Sequence, residues 1–232
     1  MAPLDFLYHL RDSFREDGIR FAITSGMACV YYGLQQYTKT SDWIIHPDDL
    51  EKLRAFLEKR QRRIPPWRIS YRAIFGAPLE KDYLAAGWTS HLFIIDRPDS
   101  PENHVDFFGK PPRVQGLGLE TDDEGFATRR TVAMMKRTDR DKDWPIVDGI
   151  GWQLAGESDG DGLVHIQSVP RLLEVWNRSS QEERSRAAEK RPLLNSLKQS
   201  TDARHIEGLI RLERLVWECV NRQRYRVFTT AW

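Results

Sequence analysis

The chain is short of cysteine, of net charge and of long apolar runs, and each shortage closes off a class of function. Cys29 and Cys219 are the two cysteines of 232 residues; they lie far apart and in no CxxC spacing. A disulfide framework or a thiolate zinc site is therefore not expected, and a reducing compartment fits. Lys+Arg 35 against Asp+Glu 34 leaves a net charge of +1. That balance argues against a surface built to coat nucleic acid, while leaving room for a local basic patch. No apolar run reaches membrane-spanning length, and Met1-Ala2-Pro3-Leu4-Asp5 is not a basic segment leading into an apolar one. The expectation is a cytoplasmic protein with no membrane partner.

Motifs are missing too. There is no GxxxxGK[ST] loop, and Gly116-Leu117-Gly118 lacks the further glycine of a dinucleotide fingerprint. The six histidines form no HxxxH pair, and Ser41 has no identifiable base partner. Internal repeats and low-complexity tracts are absent. What is present is enough apolar material for a packed core: 40% hydrophobic and 11% aromatic residues, with eight tryptophans. Those tryptophans suit packing between elements or the lining of a groove.

Periodicity divides the chain. Leu4, Leu7, Leu10 and Phe14 recur at helical spacing over 3–16 before Gly18. Arg20–Thr24 reads as a buried strand, broken at Ser25-Gly26, with a helix resuming to Tyr32. Asp42–Ile45 is a second strand, stopped by Pro47, and a helix follows with Leu50, Leu53, Phe56 and Leu57 on one face. Segment 66–75, His91–Ile95 and His104–Phe108 read as further strands. Residues 131–154 look helical with a break at Pro145, and 155–162 reads as a linker. Helices are expected over 170–178, 181–190 and 203–221. The fold class is therefore α/β (α+β): a mixed sheet of about five strands flanked by helices, then a helical C-terminal region. The domains are expected at 1–154 and 163–232.

Two acids stand beside strongly apolar strand residues, Asp42 before Trp43-Ile44-Ile45 and Asp106 before Phe107-Phe108. A carboxylate there must lie at a strand end, be paired, or hold a metal, because burying it alone is costly. Ordinary strand-edge or capping duty is the competing reading. Lys136, Arg137, Arg140 and Lys142 could grip phosphates, but Asp139, Asp141 and Asp143 interleave with them, so an internally paired surface face competes equally.

Taken in order, Ser25-Gly26, Thr38-Lys39-Thr40-Ser41-Asp42, His104-Val105-Asp106-Phe107-Phe108 and the run Lys136–Asp143 resemble the nucleotidyltransferase superfamily, specifically its small AbiEii-like branch. The resemblance covers about residues 19–150, and its order is more specific than any one motif. It implies metal-dependent transfer of a nucleotide from an NTP to a hydroxyl on RNA, protein or a small molecule. Asp42 and Asp106 would be catalytic and hold Mg2+ or Mn2+. Ser25, Gly26, Thr40, Lys136 and Arg140 would bind the nucleotide, and Lys142-Asp143 would complete the catalytic set. The branch contains toxins of toxin–antitoxin pairs, which implies a possible antitoxin partner. Two positions depart from the branch: Gln36 stands where it has arginine, and Thr40 where it has the first metal-binding aspartate. That departure keeps open a nucleotide-binding or partner-binding module of the same fold without catalysis.

Overall fold

The computed structural model describes residues 3–38, 40–60, 68–72, 79–85, 90–95, 103–111, 113–157 and 160–229. Its contacts divide the chain into two compact units, Met1–Val132 and Ala133–Trp232.

The first unit is built on a five-stranded mixed sheet. Helix α1 (Pro3–Glu16) leads to β1 (Phe21–Thr24), α2 (Ser25–Tyr31) and β2 (Thr40–Ile45). Then come α3 (Leu50–Arg60), β3 (Arg68–Arg72), α4 (Lys81–Ala85), β4 (Ser90–Ile95) and β5 (Asn103–Phe108), and α5 (Arg129–Met135) begins in this unit and ends in the next. Strand order is β1-β2-β5-β4-β3. Every pairing is antiparallel except β2 with β5, which is parallel.

Alternation along these strands gives the sheet two different faces. On one, Trp43 and Phe107 are fully buried. Phe14 of α1 packs on both, with ring centroids 5.3 and 6.2 Å away, and meets Phe56 of α3 at 5.0 Å. This aromatic cluster is the core of the unit. The turn after α1 closes through Gly18 at φ +63°, with Ile19 N–H donating to the Phe14 carbonyl at 2.9 Å.

The opposite face carries Ala22, Ile44 and the two acids. Gly118 lies over its Ile44 end, against Pro111. A Cβ built on Gly118 (φ +62°) would stand 2.6 Å from Pro111 Cγ and 3.4 Å from Ile44 Cδ1. Only glycine fits that position. Outside β1, residues 125–127 add a further rung: Ile23 N–H donates to the Gly125 carbonyl and Ala127 N–H to the Ile23 carbonyl, at 2.9 and 2.7 Å.

The second unit is helical: α6 (Trp144–Gly156), α7 (Gly162–His165), α8 (Val169–Arg178), α9 (Gln181–Lys190) and α10 (Ala203–Thr229). Leu163, Ile166, Leu172, Leu194 and Ile206 are essentially sealed from solvent in its core. Backbones approach closely where α6 meets α7: a Cβ on Gly151 would lie 2.5 Å from Ile166 N, and one on Gly162 2.7 Å from Ala155 Cβ. Hence residues 133–154 group with the helical unit. The division comes earlier than the 155–162 stretch that glycine and acid content suggested. Asp148 fixes the start of α8, its carboxylate accepting from Gln167 N–H and Ser168 N–H at 2.7 Å each and from Arg171 at 2.7 Å. Among the described residues, no helix is long and apolar enough to cross a membrane.

Candidate functional site

Asp42 and Asp106 are brought together. Parallel pairing of β2 and β5 places Asp42 opposite Asp106 and Trp43 opposite Phe107. The aromatic pair faces the core, so alternation sends both acids to the other face. Each is half-buried. Neighbouring strands stand about 4.8 Å apart, which puts two carboxylate groups side by side on one face. Such a pair is suitable for holding positive charge.

The glycine turn stands beside them. Thr24, the last residue of β1 and fully buried, is registered with Asp42. Ser25 follows at φ 52°, a left-handed value that only glycine adopts without strain, and opens α2. Gly26 is buried, and its carbonyl accepts from Gln35 Nε2 at 2.9 Å. The Ser25-Gly26 turn thus emerges one residue beyond the row that carries Asp42. Thr40 lies two positions before Asp42 on β2, registered with His104; its side chain is outside the described residues, as is Lys39.

The same row runs on across the sheet. Backbone register places His91 of β4 opposite Asp106 and Arg72 of β3 opposite His91. Positions 24, 42, 106, 91 and 72 therefore form one line over five strands. In the sequence His91 reads as a plain strand residue. Only the pairing partner of β5, which no local pattern reports, puts it there.

The remaining sequence-read residues, Lys136, Arg140, Lys142 and Asp143, belong to the second unit. The expected helix is interrupted there: α5 ends at Met135, a loop carries 136–140, and a short 3-10 turn spans Asp141–Asp143. Pro145 falls in the first turn of α6, where its missing N–H costs nothing, so it starts that helix rather than breaking one. The loop is organised by Asp143, which is 2% exposed. Its carboxylate accepts from Thr138 Oγ1 at 2.6 Å and Arg140 Nε at 2.8 Å, with Lys136 Nζ at 3.4 Å. Burial opposes its ionisation, but Lys136, Thr138 and Arg140 outweigh that and hold the carboxyl below the usual aspartate value. Arg137 is buried as well, donating to the Val164 carbonyl at 2.7 Å and lying over the Trp217 ring; burial pushes its guanidinium down to about 10. Lys142 is exposed. Three of the four sequence-read residues are thus joined to one another in an ion-pair cluster that shapes the loop.

Among the described residues no set of three His, Cys, Asp or Glu groups forms a metal cluster. The first unit offers two opposed carboxylates. That set fits a magnesium-like cation that keeps several waters and takes further oxygens from phosphate. No protein-family model matches this chain, and no curated protein sequence matches it significantly.

Proposed function

We propose that the protein is nucleotidyltransferase-like and moves a nucleotide from an NTP to a hydroxyl acceptor. The observation that carries this reading is the registration of Asp42 with Asp106 on adjacent parallel strands, beside the Ser25-Gly26 turn. Phosphoryl-type transfer asks little covalent help of a protein. It needs positioning and neutralisation of the phosphate oxygens. Asp42 and Asp106 would hold Mg2+ or Mn2+, which when bound neutralises the triphosphate and orients its α-phosphorus. The open turn at Ser25 and Gly26 would let backbone N–H groups approach phosphate oxygens. In the transfer the acceptor oxygen bonds to the α-phosphorus, the bond from that phosphorus to the pyrophosphate oxygen breaks, and the hydroxyl proton leaves to solvent. An RNA or protein acceptor, and an antitoxin partner, belong to this proposal.

Thr40 favours a second reading. It supplies no charge where the resemblance expects the first metal-binding acid, so the fold could bind a nucleotide without transferring it. An α-labelled NTP, incubated with the protein, divalent metal, total RNA and total protein, separates the two. The first reading predicts labelled acceptor that is lost in folded Asp42→Asn and Asp106→Asn variants. Nucleotide binding without labelled product supports the second. Asn variants as active as the parent contradict the proposed site.

A further inference from the structure

Helix α10 carries Glu207, Ile210, Arg211 and Arg214 at positions i, i+3, i+4 and i+7, which puts them on one face. That face and the segment entering α8 enclose a cavity of about 420 Å3. The volume suits a small ligand. Val169, Pro170 and Ile210 give the cavity an apolar wall, and the buried Gln167 adds an amide. All of these residues belong to the second unit. The fold does not consume the charges along the cavity. Among the described residues, the exposed Glu207 and Arg211 side chains make no hydrogen bond or ion pair. The half-buried Arg214 side chain makes one hydrogen bond, donating from Nε to Gln167 Oε1 at 3.4 Å, and lies over the Trp144 ring at 5.2 Å. Burial pushes its guanidinium below the ordinary arginine value, outweighing the pull of Asp141, Glu213 and Asp148. An anion in the cavity would offset that cost.

We infer that this cavity binds a small organic carboxylate, with its charge on Arg211 and Arg214 and its apolar body against Val169, Pro170 and Ile210. Guanidinium groups take a carboxylate through paired N–H donors. Two arginines against one glutamate leave a single positive charge along the cavity. That balance matches a monoanion better than a phosphate dianion or a polyanionic strand. The inference is independent of the transfer reading and requires no metal. In the rival arrangement Arg214 serves packing alone, as a cation over Trp144, and water fills the cavity.

Benzoate, benzyl alcohol and phenyl phosphate carry the same ring under three different head groups. Each is titrated into the full chain and followed by calorimetry and by amide NMR shifts. Benzoate binds saturably and shifts the Gln167, Ile210 and Arg211 amides. Benzyl alcohol binds about tenfold or more weakly, because the charge-assisted bonds are lost. Phenyl phosphate also binds more weakly than benzoate. Arg211→Gln weakens benzoate binding by about threefold or more, and Arg214→Lys, which loses the planar fork, by about tenfold. Glu207→Gln tightens it by about two- to threefold, since a repelling charge is removed. The Glu207 and Arg211 side chains are exposed and hold nothing in the fold, so those two variants decide even if Arg214→Lys fails to fold. Three results overturn the inference: no saturable benzoate binding, benzyl alcohol bound as tightly as benzoate, or affinity indifferent to both Arg211→Gln and Glu207→Gln. Phenyl phosphate bound more tightly than benzoate overturns the choice of a carboxylate.

Discussion

Replacing Asp143 with asparagine tests whether the basic run is built for structure or for chemistry. The Asp143 side chain is 3% exposed and its partner Lys136 8%, with Nζ and Oδ1 3.4 Å apart. Breaking one side of such a buried pair costs about 3–5 kcal/mol, because the other charge stays buried. Arg140 is 54% exposed, so its pair adds about 1 kcal/mol or less. Asparagine keeps the volume and one acceptor oxygen, which places the expected loss near the low end, about 3 kcal/mol. With a urea slope of about 1–3 kcal/mol per molar, the midpoint should fall by roughly 1–3 M. The assay is urea unfolding followed by tryptophan fluorescence, run on Asp143→Asn, Lys136→Met and the double variant. The double variant should lose clearly less than the sum, since it leaves no uncompensated charge. The acid limb gives a second check. Because the folded carboxyl titrates below its unfolded value of about 3.9, its contribution is complete above that pH and fades as pH falls through the folded value. Asp143→Asn should lack that part of the acid transition. A variant as stable as the parent, with additive single losses, would refute the reasoning and return Asp143 to a role at a site.

Gly118→Ala should cost about 2–3 kcal/mol in the same urea assay, because it adds a clash with Pro111 to a left-handed backbone, whereas Gly33→Ala, at φ +69° with nothing within 4 Å, should cost about 1. Ser25→Gly should leave stability unchanged or slightly raised, while Ser25→Val, a β-branched residue at φ 52°, should lose about 1–2 kcal/mol; the reverse order would remove the strained turn. Glu213→Gln should destabilise by about 3 kcal/mol, because Arg191, whose side chain is 0% exposed, keeps its charge and loses its acidic partner. A change under about 0.5 kcal/mol there would show the pair to be solvated.

Much of the fold was legible because local pattern carried it. The apolar runs around Ala22, Ile44 and Phe107 announce buried strands, and Gly18 and the Ser25-Gly26 break mark their connections. Helices α8 and α9 fall where spacing put them, and α10 runs on from Asn221 to Thr229. The misreadings share a cause: they depend on partners distant in the chain. Residues 136–143 have helical composition, yet a buried carboxylate draws Lys136, Thr138 and Arg140 around itself and the helix gives way to a loop. Gly160 and Gly162 look like a linker, but Gly162 permits α7 to lie against α6. For the candidate site, each acid's strand was visible and its neighbour was not. That Asp42 faces Asp106, and that His91 continues the row, follows from a parallel pairing between strands some sixty residues apart and from the return of β4, neither encoded in any short window.

The central claim is that the face carrying Asp42 and Asp106 holds a metal-bound nucleotide. Calorimetric titration of each NTP, in Mg2+ and again in Mn2+, into the wild type, an Asp42→Asn/Asp106→Asn variant and Thr40→Asp tests it most directly. The account predicts saturable binding of at least one NTP that requires the divalent cation, is lost in the folded double variant, and tightens in Thr40→Asp as a charged ligand joins the shell. Nucleotide binding that is indifferent to all three positions, or no binding of any NTP to the wild type, would contradict it.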